Sequence, residues 1–132
     1  MRISDVLSLK TEQLQKERFT VTEQKTGKTR RLRLPEKLRR DCLKISGDIF
    51  IFPHRTNKWK HRTRQAVWKD LRKASTMLRL KGNASPHSLR KTYARTLRKE
   101  GFSLSQIQKA LNHSDPTLTV IYALADELAM RE

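Results

Sequence analysis

The chain has a single cysteine among its 132 residues, 13 acids against 30 Lys and Arg, and no long apolar run. A lone thiol at Cys42 excludes an internal disulfide and fits a reducing compartment such as the cytoplasm, on the nucleoid if the source is bacterial. One cysteine and four scattered histidines give no metal-ligand spacing, so neither a metal nor another cofactor is expected. No stretch of about 18 apolar residues is present, so no membrane-spanning helix is expected. The N-terminus lacks an apolar core segment and does not read as a secretory signal. There is no internal repeat and no low-complexity segment. The shortage of acids leaves a formal net charge of +17, which favours a polyanionic partner. The basic residues run from Arg2 to Arg131, which suggests a folded basic surface rather than a disordered arm.

Hydrophobic periodicity and turn signals predict one α+β domain, mainly helical with a small three-stranded antiparallel sheet. Residues 3–9 read as a short helix, although no cap or opening turn precedes Ile3. That abrupt start suggests a parent protein extending upstream. Phe19 and Val21 alternate with polar neighbours, which marks a strand at 18–24. Thr26 and Gly27 signal a turn, and Leu32 and Leu34 alternate beyond it, so a β-hairpin forms with Lys25 and Lys28 at its tip. Pro35 opens a helix to about Lys44. Residues 48–52 read as a short buried strand ended by Pro53, and 53–62 as a basic loop. A helix then runs from Thr63 to about Leu78, with Val67, Leu71, Ala74 and Leu78 on one face.

Ser85 and Pro86 start the next helix, with Leu89, Tyr93 and Leu97 as its apolar stripe and Gly101 as its stop. Ser103 and Gln106 form a capping box for a helix carrying Leu104, Ile107 and Leu111, and Asn112 suits a left-handed cap at its end. Asp115 and Pro116 open a last helix with Leu118, Ile121, Ala125 and Leu128 on one stripe.

Four chemistry-bearing side chains fall where helix starts or turns can aim them. His87 and Arg90 lie three apart on one helix and share a face. His113 follows the cap at Asn112, and Tyr122 lies beside the last apolar stripe. An imidazole moves protons near neutral pH. A guanidinium is a permanently charged fork that fits two phosphate oxygens. A phenol serves as a covalent nucleophile. Together these groups suit attack on a phosphodiester. Each also has a plain structural reading: His87 as a capping residue, Arg90 as solvated, His113 as a turn histidine, Tyr122 as a core-edge aromatic, Lys25 and Lys28 as turn lysines. Tyr93, on the apolar stripe, is expected in the core.

These motifs resemble the catalytic domain of the tyrosine recombinases, the phage-integrase family. One family block, His-x-Leu-Arg-His-Thr-x-Ala, is similar to His87, Leu89, Arg90, Thr92 and Ala94 in this chain. A later block of Leu-Gly-His-Ser, then Thr, then Tyr resembles Leu111, Asn112, His113, Ser114, Thr119 and Tyr122. A first block resembles Arg2, Ile3, Ser4, Asp5, Val6 and Leu7, and the segment Lys25, Thr26, Gly27, Lys28 is similar to the lysine-bearing hairpin of the family. Asn112 replaces a Gly, and Lys91 a frequent His. The resemblance covers nearly the whole chain, so residues 1–132 are expected to be one catalytic domain, shortened at its N-terminus and without the family's N-terminal DNA-binding domain. Its first turn is then expected to fray and leave Arg2 loosely held.

The resemblance implies a reaction and its residues. Tyr122 attacks duplex DNA and forms a 3′-phosphotyrosine. Arg2 and Arg90 grip the non-bridging oxygens, His87 takes the tyrosine proton, His113 bonds a phosphate oxygen, and Lys25 protonates the leaving 5′-oxygen. Asp5 orients Arg2, while Lys28, Arg62, Arg64 and Lys91 bind DNA. Integration or recombination of a mobile element follows, with self-association on DNA as a tetrameric synapse. Two other readings stand beside this one: a type IB topoisomerase-like or telomere-resolvase-like nicking-closing enzyme, and a non-catalytic helix-turn-helix module over 104–122.

Overall fold

The computed structural model describes residues 1–82, 84–112 and 116–123; within the last stretch the side chains at 116, 118, 122 and 123 are not described. The chain divides into two units, Met1–Asp70 and the part from Leu71 onward.

In the first unit, helix α1 spans Ile3–Leu7. Asp5, in its first turn, accepts the Arg2 N–H at 3.1 Å, so a carboxylate meets one of the orphan donors at the helix start. A 3-10 turn, Thr11–Gln15, follows, with the Gln13 side chain accepting the Lys10 N–H at 2.7 Å. Strands β1 (Arg18–Thr22) and β2 (Thr29–Arg33) pair antiparallel, Phe19 opposite Leu32 and Val21 opposite Arg30. Alternation along β1 turns Phe19 and Val21 inward, where they join Leu9, Leu14 and Ile51 in the core. Helix α2 (Glu36–Ile45) starts after Pro35 as the sequence implies.

The expected third strand is absent from the described residues: the sheet has two strands. Segment 48–52 instead bends back on itself. The Gly47 N–H donates to the Phe50 carbonyl at 2.9 Å, and only Phe50 bridges to Lys10. Ile51 is nevertheless buried, so the segment's hydrophobicity reports core burial without a ladder. The loop beyond is pinned rather than open. His54 N–H donates to the Lys60 carbonyl at 2.9 Å and Arg62 N–H to the Phe52 carbonyl at 2.7 Å.

Helix α3 spans Arg64–Met77, with the Thr63 hydroxyl accepting the Ala66 N–H at 3.2 Å. Its expected apolar face is not a core face. Val67 and Leu71 are half-buried, whereas Ala74 and Leu78 are exposed. The buried residue is Ser75, because its hydroxyl accepts the Ala84 N–H at 3.1 Å and draws the following chain over it.

In the second unit, helix α4 spans Pro86–Lys99 and opens with a reciprocal pair: Ser85 Oγ accepts the Ser88 N–H at 3.1 Å, and Ser88 Oγ accepts the Ser85 N–H at 2.8 Å. It stops at Gly101, φ +88°, where Phe102 N–H reaches back to the Leu97 carbonyl at 3.0 Å. Helix α5 (Leu104–Leu111) carries the expected capping box, with Gln106 Oε1 accepting the Ser103 N–H at 2.8 Å. It ends on Asn112 at φ 54°, ψ 45°, the left-handed cap anticipated from its side chain. Helix α6 (Pro116–Ala123) packs on both α4 and α5.

The core here is Ala94, Leu97, Ile107 and Leu111. The stripe expected on α4 is therefore rotated: Leu97 is buried, but Leu89 is 53% and Tyr93 50% exposed. Neighbouring helices cover the Ala94 side, where a methyl group lets backbones approach closely. On α6 Thr119 is buried and Ile121 exposed, again a shifted face; Ala125 and Leu128 lie outside the described residues. No helix among the described residues is long and apolar enough to cross a membrane.

Candidate active site and basic surface

Two groups of the expected residues can be built from the described structure, one in each unit. In the first, Arg2 is anchored, contrary to the expected loose first turn. Its Nη1 donates to Glu23 Oε2 at 3.0 Å. Asp5, 0% exposed, holds the backbone of that arginine rather than its guanidinium, and its other oxygen accepts the Gln24 N–H at 3.0 Å. One carboxylate thus ties the start of α1 to the base of the hairpin. Glu23 also accepts from Thr26 Oγ1 at 3.2 Å and Arg30 Nη1 at 3.5 Å. Lys25 and Lys28 stand exposed in the connecting loop, within reach of an approaching polyanion.

Glu23 and Arg30 are the residues that sequence reasoning missed. The signal was available: Glu23, one residue beyond β1, continues the inward alternation of Phe19 and Val21, and it is an acid. A carboxylate at an inward position requires a cationic partner.

In the second unit, the Arg90 guanidinium donates to the Leu111 carbonyl at the last turn of α5. Leu111 is the last residue of α5, where helix carbonyls have no partner within the helix, so the arginine caps α5 at the residue before Asn112. His87 is exposed one turn earlier on α4, and Lys91 is half-buried beside Arg90. Tyr122 falls in α6, with its side chain not described, and His113 lies outside the described residues.

The other two histidines have structural roles. His61 packs edge-on against Phe50 with centroids 5.5 Å apart, and the His54 Nδ1 accepts the Thr56 N–H at 3.3 Å. Burial, with Asp41 adding to it, pushes the Cys42 thiol up, away from the thiolate form a nucleophile needs.

The first unit carries a dense cationic surface. Arg18 stands directly opposite Arg33 across the hairpin, and the only acid on that pair is Glu17, 2.5 Å from Arg33 Nε among the described contacts. A cleft of about 400 Å³ is lined by His54, Arg55, Arg62, Lys69 and Asp70 among others. Arg62 is ion-paired to Asp70 there, while Arg64, at the start of α3, is exposed.

A sequence model of the phage integrase family matches residues 1–128. A probable integrase/recombinase of Bacillus subtilis, YoeC, is 30% identical over 132 residues, covering 96% of this chain and 72% of that one. The tyrosine recombinase XerD of Lacticaseibacillus casei is 37% identical over 60 residues, 46% of this chain and 20% of its own. Among solved structures, XerA recombinase superposes with a TM-score of 0.74 at 21% identity, over 99% of this chain and 53% of that one. The site-specific recombinase XerH, in a pre-cleavage complex with its difH substrate, gives 0.71 at 22% identity over 98% and 41%. The chain therefore spans about half or less of those solved chains.

Proposed function

The chain belongs to the phage integrase family, and from that premise we propose that it carries the catalytic part of a site-specific DNA recombinase acting through a 3′-phosphotyrosine. The Tyr122 oxygen attacks the scissile phosphorus. The bond to the 5′-oxygen breaks, and its electron pair leaves with that oxygen. His87 accepts the tyrosine proton and Lys25 supplies the proton that completes the 5′-hydroxyl. Arg2 and Arg90 hold the non-bridging oxygens, where charge grows in the transition state, and His113 donates to the same phosphate. The reaction uses side chains alone, without metal or cofactor. Because the phosphotyrosine retains the ester energy, rejoining to another 5′-hydroxyl needs no ATP. Exchange between two duplexes requires several protomers on paired sites.

The observation that supports this reading best is the Arg90–Leu111 bond. It joins two motif blocks at one guanidinium, its acceptor lying two residues before His113 in the sequence. The test is incubation, in EDTA, with a nicked duplex recovered from a random library by covalent capture, followed by a denaturing gel. An SDS-stable protein–DNA adduct is expected. No adduct, or one that requires Mg²⁺, overturns the reading.

Lys28, Arg62, Arg64 and Lys91 serve DNA phosphates. Of these, Arg64 is exposed and lies outside the core of either unit. Arg64→Ala is expected to weaken binding about equally for all duplexes and to reduce the slope of log affinity against log salt by about 1. Titrations at several salt concentrations measure this; an unchanged slope would remove Arg64 from the interface.

A further inference from the structure

Glu23 stands where the hairpin loop and the first arginine meet. Its backbone closes the loop that carries Lys25: Glu23 N–H donates to the Lys28 carbonyl at 2.9 Å, and Gly27 N–H donates to the Glu23 carbonyl at 2.8 Å. Its carboxylate, 1% exposed, takes Arg2 Nη1 at 3.0 Å, Thr26 Oγ1 at 3.2 Å and, from the facing strand, Arg30 Nη1 at 3.5 Å. An apolar residue at this inward position would extend the Phe19 and Val21 alternation into the core without a desolvation cost. Packing therefore does not call for an acid here, whereas joining a loop to a guanidinium does.

We infer that Glu23 is a positioning residue for protonation of the leaving group: it fixes the Lys25 loop to the Arg2 guanidinium, so that proton donor and phosphate grip share one rigid support. This rests on the roles proposed above for Arg2 and Lys25. In cleavage the Tyr122 oxygen bonds to phosphorus as the phosphorus–O5′ bond breaks. The bond pair goes to O5′, which takes the Lys25 proton. Without the Glu23 carboxylate the backbone closure and the Asp5–Gln24 bond remain, but the loop loses its side-chain tie through Thr26 to Arg2, and that proton is misplaced. The loss should fall on a leaving group that needs a proton. Sulfur at the 5′-bridging position needs none, since a thiol ionises at about pH 8.5 whereas an alcohol is a far weaker acid.

The experiment follows single-turnover adduct formation by the full chain on the captured duplex, with either oxygen or sulfur at the 5′-bridging position. Lys25→Ala is expected to lose roughly 100-fold on oxygen and only a few-fold on sulfur. Glu23→Gln and Glu23→Ala should follow that pattern, with a loss on oxygen at least about tenfold greater than on sulfur. Thr26→Val removes the hydroxyl that donates to Glu23 and accepts the Lys28 N–H at 3.4 Å, and leaves the buried charges in place, so it remains informative should Glu23→Ala not fold; it should lose several-fold on oxygen alone. Arg2→Ala should lose on both. Equal losses on the two substrates for the Glu23 and Thr26 variants, or no loss on either, overturn the role of Glu23. Failure of sulfur to restore Lys25→Ala overturns the role of Lys25 instead. Absence of a wild-type adduct removes the recombinase reading itself.

Discussion

Tyr122→Phe is expected to abolish the covalent protein–DNA adduct, a loss of at least about 10⁴-fold, while DNA affinity stays within a few-fold. The substitution deletes one oxygen and keeps the ring. Affinity rests on phosphate contacts spread over the cationic surface, which one phenol does not supply. The companion variant is Tyr93→Phe. Half-exposed on α4, three residues after Arg90, Tyr93 is a second phenol near the same motif and hence a chemical rival. Adduct yield should persist in Tyr93→Phe. Wild-type yield from Tyr122→Phe, or its loss in Tyr93→Phe, would transfer the nucleophile to α4.

Arg90→Ala is expected to lower adduct formation by at least about 100-fold, the scale of one lost transition-state donor. It should also cost about 1–3 kcal/mol of stability, because the Leu111 carbonyl at the end of α5 loses its charged donor. Arg90→Lys should recover part of the stability and little of the activity, since an ammonium matches one oxygen where the fork matches two. Adduct kinetics and urea unfolding together separate the effects. A variant that loses stability alone would make Arg90 a helix cap and nothing more.

Caps and turns were the most legible part of the fold. Ser85, Gly101, Ser103 and Asn112 each mark a helix end by a local mechanism, and each acts as expected. Which face a helix buries is decided by its neighbours. Leu89 and Tyr93 form a regular apolar stripe, yet the cover lies on the Ala94 side, and no periodicity in one helix states where another will pack. The segment ending at Phe52 failed as a strand because hydrophobicity measures burial, while a ladder needs a partner strand; Lys10 already opens a 3-10 turn. At the site, the residues named from motifs were Arg2, Lys25, His87, Arg90, His113 and Tyr122; the side chains of the last two lie outside the described residues. Of the two carboxylates at Arg2, Asp5 was named as its orienting partner and accepts its backbone N–H, whereas Glu23 was overlooked at the end of an apolar alternation.

The two-stranded hairpin has a further physical consequence. Among the described residues each of its strands is an edge; Gln13 Nε2 donates to the Thr20 carbonyl on the outer side of β1 at 3.4 Å. Arg18, Arg31 and Arg33 line those edges in exposed positions. Two hairpins approaching edge to edge bring such guanidiniums within a few ångströms, well inside a screening length of about 8 Å at physiological salt. Mutual repulsion therefore keeps concentrated chains apart as a colloid. A polyanion that neutralises the arginines lifts this protection, so the chain is most prone to associate through its hairpins when the added nucleic acid just balances its charge.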